Sequence, residues 1–134
     1  MLKDIDNPKV EGVAFAIAEE VNELNEKSYI AYLINLKDEP LENVLVRSSG
    51  YGEQDGKQVK TTELRRFYDS IEPKSAQLIE PVLKEALTLT NQYWVSFYND
   101  KVLYDRKYVF VAESVNESNF ISLPLIDYSG VLIK

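Results

Sequence analysis

Tyr93-Trp94-Val95-Ser96-Phe97-Tyr98 is followed by Asn99-Asp100 and then by the run Val102 to Val111. Every residue of the first run except Ser96 is aromatic or β-branched, and such side chains suit a pleated, half-buried surface. A polar pair between two runs of this kind signals a hairpin with a two- or three-residue connection. Alternation divides the first run into two faces, with Tyr93, Val95 and Phe97 on one and Trp94, Ser96 and Tyr98 on the other. One set must enter a core. The other is either covered by the C-terminal stretch or left as a binding face.

The same reading extends outward. Gly12 to Val21 sets Val13, Phe15 and Ile17 against Ala14, Ala16 and Ala18, a strand pattern, although Val13, Ile17, Val21 and Leu24 also fall at helical spacing. Asn22 to Lys27 reads as a polar turn. Ser28 to Leu36 is a second strand, with Ile30, Tyr32, Ile34 and Leu36 on one side, and Lys37-Asp38-Glu39-Pro40 closes it because proline cannot donate to a central ladder. Val44 to Ser48 follows as a third strand. Asp55-Gly56 is a hairpin turn that sends the chain back through Lys57 to Thr61. Thr62 to Ile71 is ambiguous: Leu64, Phe67, Tyr68 and Ile71 fit a helix face, while Leu64, Arg66 and Tyr68 alternate. Glu72 to Ser75 is a turn, Ala76 to Val82 a strand interrupted at Pro81, and Leu83 to Leu87 one helical turn crossing between sheets. Short strands spaced by turns, with no long helical period, predict an all-β fold, an immunoglobulin-like antiparallel β-sandwich of about seven strands.

The 134 residues make one domain. The expected divisions are a loose N-terminus over 1–9, the β-sandwich over 10–112 and a C-terminal segment over 113–134. That segment carries Phe120 to Ile126 and Val131-Leu132-Ile133, too apolar to remain in water, so it packs on the sandwich or on a partner.

Fifteen Lys and Arg stand against 22 Asp and Glu, a net charge of −7. Such a chain repels phosphates, which argues against nucleic acid and against an anionic membrane as partners. Acidic residues in Met1 to Pro8 do not suit a signal peptide, and no segment approaches the ~20 apolar residues of a membrane span, so the expected location is cytoplasmic. Cysteine and histidine are both absent. That removes disulfides, the thiolate nucleophile, the imidazole base and zinc sites built from either residue. Gly50-Tyr51-Gly52 lacks the third glycine and the helix of a dinucleotide fingerprint, and reads as a bulge or tight turn. Glu53-Gln54-Asp55-Gly56 is only a fragment of a calcium loop. No metal, no cofactor and no catalytic residue is expected.

Over most of its length the chain resembles a family of small uncharacterised bacterial proteins, chiefly from the Bacteroidota, often labelled phenylalanyl-tRNA synthetase alpha subunit. The resemblance rests on Tyr32 to Val46, on Gly50-Tyr51-Gly52, on Tyr93 to Tyr98 and on Tyr104-Asp105-Arg106-Lys107-Tyr108-Val109-Phe110-Val111. A class II synthetase needs arginines for the α- and γ-phosphates of ATP within particular motifs, and this chain has neither motif. The resemblance therefore implies a fold and carries over no site residue.

Aromatic side chains are the richest resource, with nine Tyr, five Phe and one Trp. Trp94, Tyr98 and Tyr51 are candidate binding residues, since Tyr and Trp bury area at low entropic cost. Arg65 and Arg66, beside Phe67-Tyr68, read either as a cation–π or acid-recognising patch or as a solvated charge pair. Val131, Leu132 and Ile133 are candidate interface residues that could extend a sheet edge. The expected function is a non-catalytic protein-interaction module that binds a protein partner or itself. The alternative is a small-ligand or carbohydrate-binding β-sandwich.

Overall fold

The computed structural model describes residues 8–134. Of the N-terminus expected to be loose, residues 1–7 lie outside the described residues. Alternating hydrophobicity becomes two antiparallel sheets of five strands each. The first contains β1 (Val13–Val21), β2 (Lys27–Asn35), β6 (Ser75–Val82), β9 (Ile121–Ser122) and β10 (Ser129–Ile133), in the order β6-β2-β1-β10-β9. The second contains β3 (Leu41–Gln54), β4 (Lys57–Lys60), β5 (Leu64–Ile71), β7 (Thr90–Asn99) and β8 (Val102–Phe110). There β3 pairs with β7 and β7 with β8, while β5 and β4 share the other edge of β3. A 3-10 turn over Lys84–Thr88 carries the chain between the sheets, at the crossing expected there.

The all-β sandwich expected from the sequence is the fold, but among the described residues it has ten strands rather than about seven. The ambiguous segment is strand β5, and the C-terminal stretch contributes β9 and β10. The sandwich therefore does not end at residue 112: β10 pairs with β1 from Phe15↔Ile133 to Glu19↔Ser129. Val131, Leu132 and Ile133 are thus held in the chain's own sheet, where β1 occupies one flank and β9 reaches only Ser129 and Gly130 on the other.

Strand β1 is buried on both faces. Val13, Phe15 and Ile17 enter the core between the sheets, where Phe15 stacks on Tyr93 at 4.3 Å and meets Tyr108 at 5.6 Å. On the other face Ala14, Ala16 and Ala18 form a floor beneath Leu123, Ile126 and Leu132. The C-terminal segment thus covers the outer face of β1, while Leu78 on edge strand β6 stays exposed.

Two turns follow from local chemistry. Asp55 and Gly56 both have positive φ, as a two-residue type I′ connection requires. In the β7–β8 hairpin the turn residues are Asp100 and Lys101 (φ 52° and 66°), one position later than Asn99-Asp100, because Asn99 still pairs with Val102. The helical spacing within β5 also has a cause. The β3–β7 register shifts between Glu42 and Leu45, around Asn43 at φ 49°. This bulge buries Leu41 and Val44, three residues apart, and their β5 partners Ile71 and Tyr68 share that spacing. Among the described residues, no helix is long and apolar enough to cross a membrane.

Gly130 faces Ala18, and a Cβ there would lie 2.2 Å from the Ile17 carbonyl oxygen. No backbone tolerates that approach, so Gly130→Ala should cost about 3 kcal/mol and lower the thermal midpoint by roughly 10 °C. A midpoint unchanged by calorimetry would contradict the packing of β10 on β1.

The buried phenols make a second prediction. Burial raises the Tyr108 pKa to about 12, against a partial opposing effect of Arg106, and its hydroxyl donates to the Val13 carbonyl at 2.8 Å. Burial pushes Tyr93 up as well. The folded state holds the neutral phenol, so this stability is intact below the unfolded value near 10 and is lost as pH rises toward 12. Alkaline titration followed by circular dichroism should show strand structure failing in that window. In Tyr108→Phe the dependence on pH there should be shallower.

Candidate functional site

The second sheet has one face in the core and one outside, and the C-terminal segment covers β1 of the other sheet instead. Cross-strand partners share a face, so register places side chains in rows. Arg65 lies opposite Arg47, Arg47 opposite Trp94, and Trp94 opposite Lys107. The row Arg65–Arg47–Trp94–Lys107 therefore crosses four strands on the outer face. One row along, Phe67, Leu45, Ser96 and Asp105 repeat the alignment.

Like charges directly opposite each other are unfavourable, and Arg47 and Arg65 turn apart. Arg65 reaches the Glu63 carboxylate at 3.4 Å, while the Arg47 guanidinium stands 5.1 Å from the centre of the Trp94 ring. From the opposite strand the Lys107 ammonium stands 5.6 Å from the same centre. The indole is held in place from its edge: Trp94 Nε1 donates to Asp105 at 3.2 Å, and Ser96 Oγ donates to the same carboxylate oxygen at 2.5 Å. Among the described residues neither Arg47 nor Lys107 forms a salt bridge. Trp94 is 38% exposed, Tyr98 40% and Phe67 58%. Leu103, the partner of Tyr98, is exposed as well.

Of the residues singled out from the sequence, Trp94, Tyr98, Tyr51 and Arg65 share this face. Tyr51 lies at its far end, opposite Thr90 and Lys60. Arg66 does not belong with them. It alternates to the other side of β5, where its Nε stands 3.6 Å from Glu80. Of the two readings of Arg65 and Arg66, the cation–π one is not seen among the described residues, where the cation–π partners are Arg47 and Lys107 on Trp94 and Arg106 on Tyr108. Both faces of β7 are rich in aromatics, but only Tyr93, Val95 and Phe97 are core.

Sequence reasoning missed Arg47, Lys107 and Asp105, and for the site it named Phe67 only as a neighbour of Arg65 and Arg66. Lys107 and Asp105 follow once the hairpin register is fixed, because Asn99↔Val102 dictates Trp94↔Lys107. Arg47 has no such local signal, since β3 meets β7 only through the tertiary fold. Among the described residues, no group of three or more acidic side chains is placed to hold a metal.

No family model matches the chain, and no curated protein matches it in sequence. The site is therefore interpreted from its own geometry.

Asp105→Ala should leave the fold intact, because the two hydrogen bonds it accepts are exposed and together are worth about 2 kcal/mol. The indole loses its anchor, so Trp94, the single tryptophan, should show greater acrylamide quenching and faster depolarisation. Unchanged quenching would show that Asp105 does not orient the ring.

Proposed function

We propose that this chain is a non-catalytic interaction module that docks an acidic polypeptide segment on the outer face of its second sheet. One observation carries the reading: Trp94 stands between the cations Arg47 and Lys107, which lack salt bridges among the described residues, on a face those residues do not cover. In a chain of net charge −7 such a row is a local reversal of sign. Complementary charge steers association and selects partners, while a tryptophan anchor supplies buried area. The absence of histidine and cysteine supports a role without catalysis.

The carbohydrate alternative is less well supported at this face. A sugar stacks on an open ring, and here cations from both neighbouring strands stand over the indole. The strand order β6-β2-β1 against β5-β3-β7-β8 supports an immunoglobulin-type topology, following the E-B-A and C′-C-F-G orders of such sandwiches. A cytoplasmic setting and kinship with the Bacteroidota family are proposed on composition and on the quoted motifs respectively.

The test is a fluorescence titration of the full chain with a glutamate-rich peptide carrying one phenylalanine, beside a lysine-rich counterpart. The acidic peptide should shift Trp94 emission saturably, bind more weakly at high salt, and lose roughly tenfold affinity in Arg47→Glu and Lys107→Glu. Equal binding of both peptides, or no loss in the charge-reversed variants, would sink the proposal.

A further inference from the structure

At the side of the sandwich where edge strand β6 faces β3 and β5, the sheets part over a cleft of about 300 Å³. A strand interior is otherwise apolar here, yet polar groups gather at this place. Ser48 lies opposite Tyr93 and Gly50 opposite Asn91, making a square on the inner face of the second sheet. Glu80 approaches from the first sheet, accepting from Ser48 Oγ at 3.2 Å and from Tyr93 OH at 3.3 Å. Leu64, Leu83 and other apolar side chains complete the wall.

The side-chain hydrogens of Ser48, Tyr93, Thr61 and Asn91 are already committed. Ser48 and Tyr93 both donate to Glu80. Thr61 Oγ1 donates to the Thr62 carbonyl at 3.4 Å. The Asn91 amide nitrogen donates to the carbonyls of Ala86 and Leu89 at 2.8 and 3.1 Å. What remains is acceptor capacity. Asn91 is 91% buried (9% exposed), and among the described residues its Oδ1 receives no hydrogen bond. No sealed side-chain polar atom lacks a partner among the described residues, so this oxygen opens on the cleft rather than on packed side chains. It lies 3.1 Å from where a Gly50 Cβ would stand, with the Thr61 Cγ2 methyl 3.3 Å from the same point. Gly50 does not have positive φ, so its use is room rather than backbone freedom.

We propose that this cleft binds a primary ammonium group on a short aliphatic chain. An ammonium brings three donors and no acceptor, which matches the lone pairs of Glu80 and of Asn91 Oδ1 in this lining. Glu80 is the charged residue of the lining; Arg66, its ion-pair partner, is not among the lining residues. The apolar wall takes the carbon chain. A free amine and a lysine side chain present the same chemistry.

The test uses ¹⁵N NMR of the full chain titrated with n-butylammonium, with n-butanol as the neutral isostere and Nα-acetyl-lysine methylamide as the peptide-borne form. Butylammonium should shift the Gly50 amide and the Asn91 side-chain amide saturably, and butanol should not. Glu80→Gln should weaken the amine by roughly tenfold or more, and Gly50→Ala should block it. Binding of the lysine derivative as well would assign the cleft to a lysine side chain; binding of butylammonium alone would assign it to a free amine. Equal shifts from amine and alcohol, no shifts from either, or an undiminished amine titration in Glu80→Gln would overturn the proposal. The comparison of amine with alcohol uses the unaltered chain and stands even if a variant fails to fold.

Discussion

Strand β1 must be dry on both sides, and much of the molecule follows from that. Its large residues, Val13, Phe15 and Ile17, need a second sheet to close over them, and Tyr93, Val95, Tyr108 and Phe110 supply it. Its small residues need a thin cover, and the segment through Leu123 and Ile126 supplies that. Alanine on this face lets the cover lie close, and Gly130 lets β10 come closer still. With the outside of β1 covered, the outer face of the second sheet is the broader open one among the described residues, while on the first sheet Leu78 of β6 stays exposed.

Charge and aromaticity on that open face are therefore not an average sample of the surface. A chain with an excess of acidic residues places three cations in one row with its only tryptophan. Two anions enter the group: Glu63 pairs with Arg65, and the Asp105 carboxylate is occupied in holding Trp94 and Ser96. On the inner side of the same sheet, Glu80 joins the two layers through Ser48, Tyr93 and Arg66. One carboxylate thus orients a ring outside, and another ties the sheets together at the edge of the core.

The legibility of these features tracks their range along the chain. The alternation of Val13 to Ala18 and the turn at Asp55-Gly56 are local, and the sequence displays both. The helical spacing of Leu64, Phe67, Tyr68 and Ile71 misleads because its cause, the bulge at Asn43, sits on another strand. Trp94 and Tyr98 were visible as a surplus face, but whether that face was covered depended on where Leu123 lands. Arg66 was grouped with Arg65 because neighbours in sequence look like neighbours in space. In a strand they point opposite ways, and Arg66 went to Glu80. Glu80 itself had no signal at all: only the approach of the two sheets makes an acidic residue before a proline into an inter-sheet tie.

The pairing of β1 with β10 also sets the order in which the molecule can be completed. A chain emerging from a ribosome presents Phe15 and Ala16 long before Ile133 and Leu132, their partners across the ladder. Until β10 arrives, β1 is an unguarded sheet edge and the alanine floor beside it is bare, a template for other nascent chains. The β1–β2 hairpin closes locally, as β7–β8 does in the second sheet, so it is the other flank of β1 that waits. Closing that flank thus depends on Ser129–Ile133, the strand most distant from β1 along the chain.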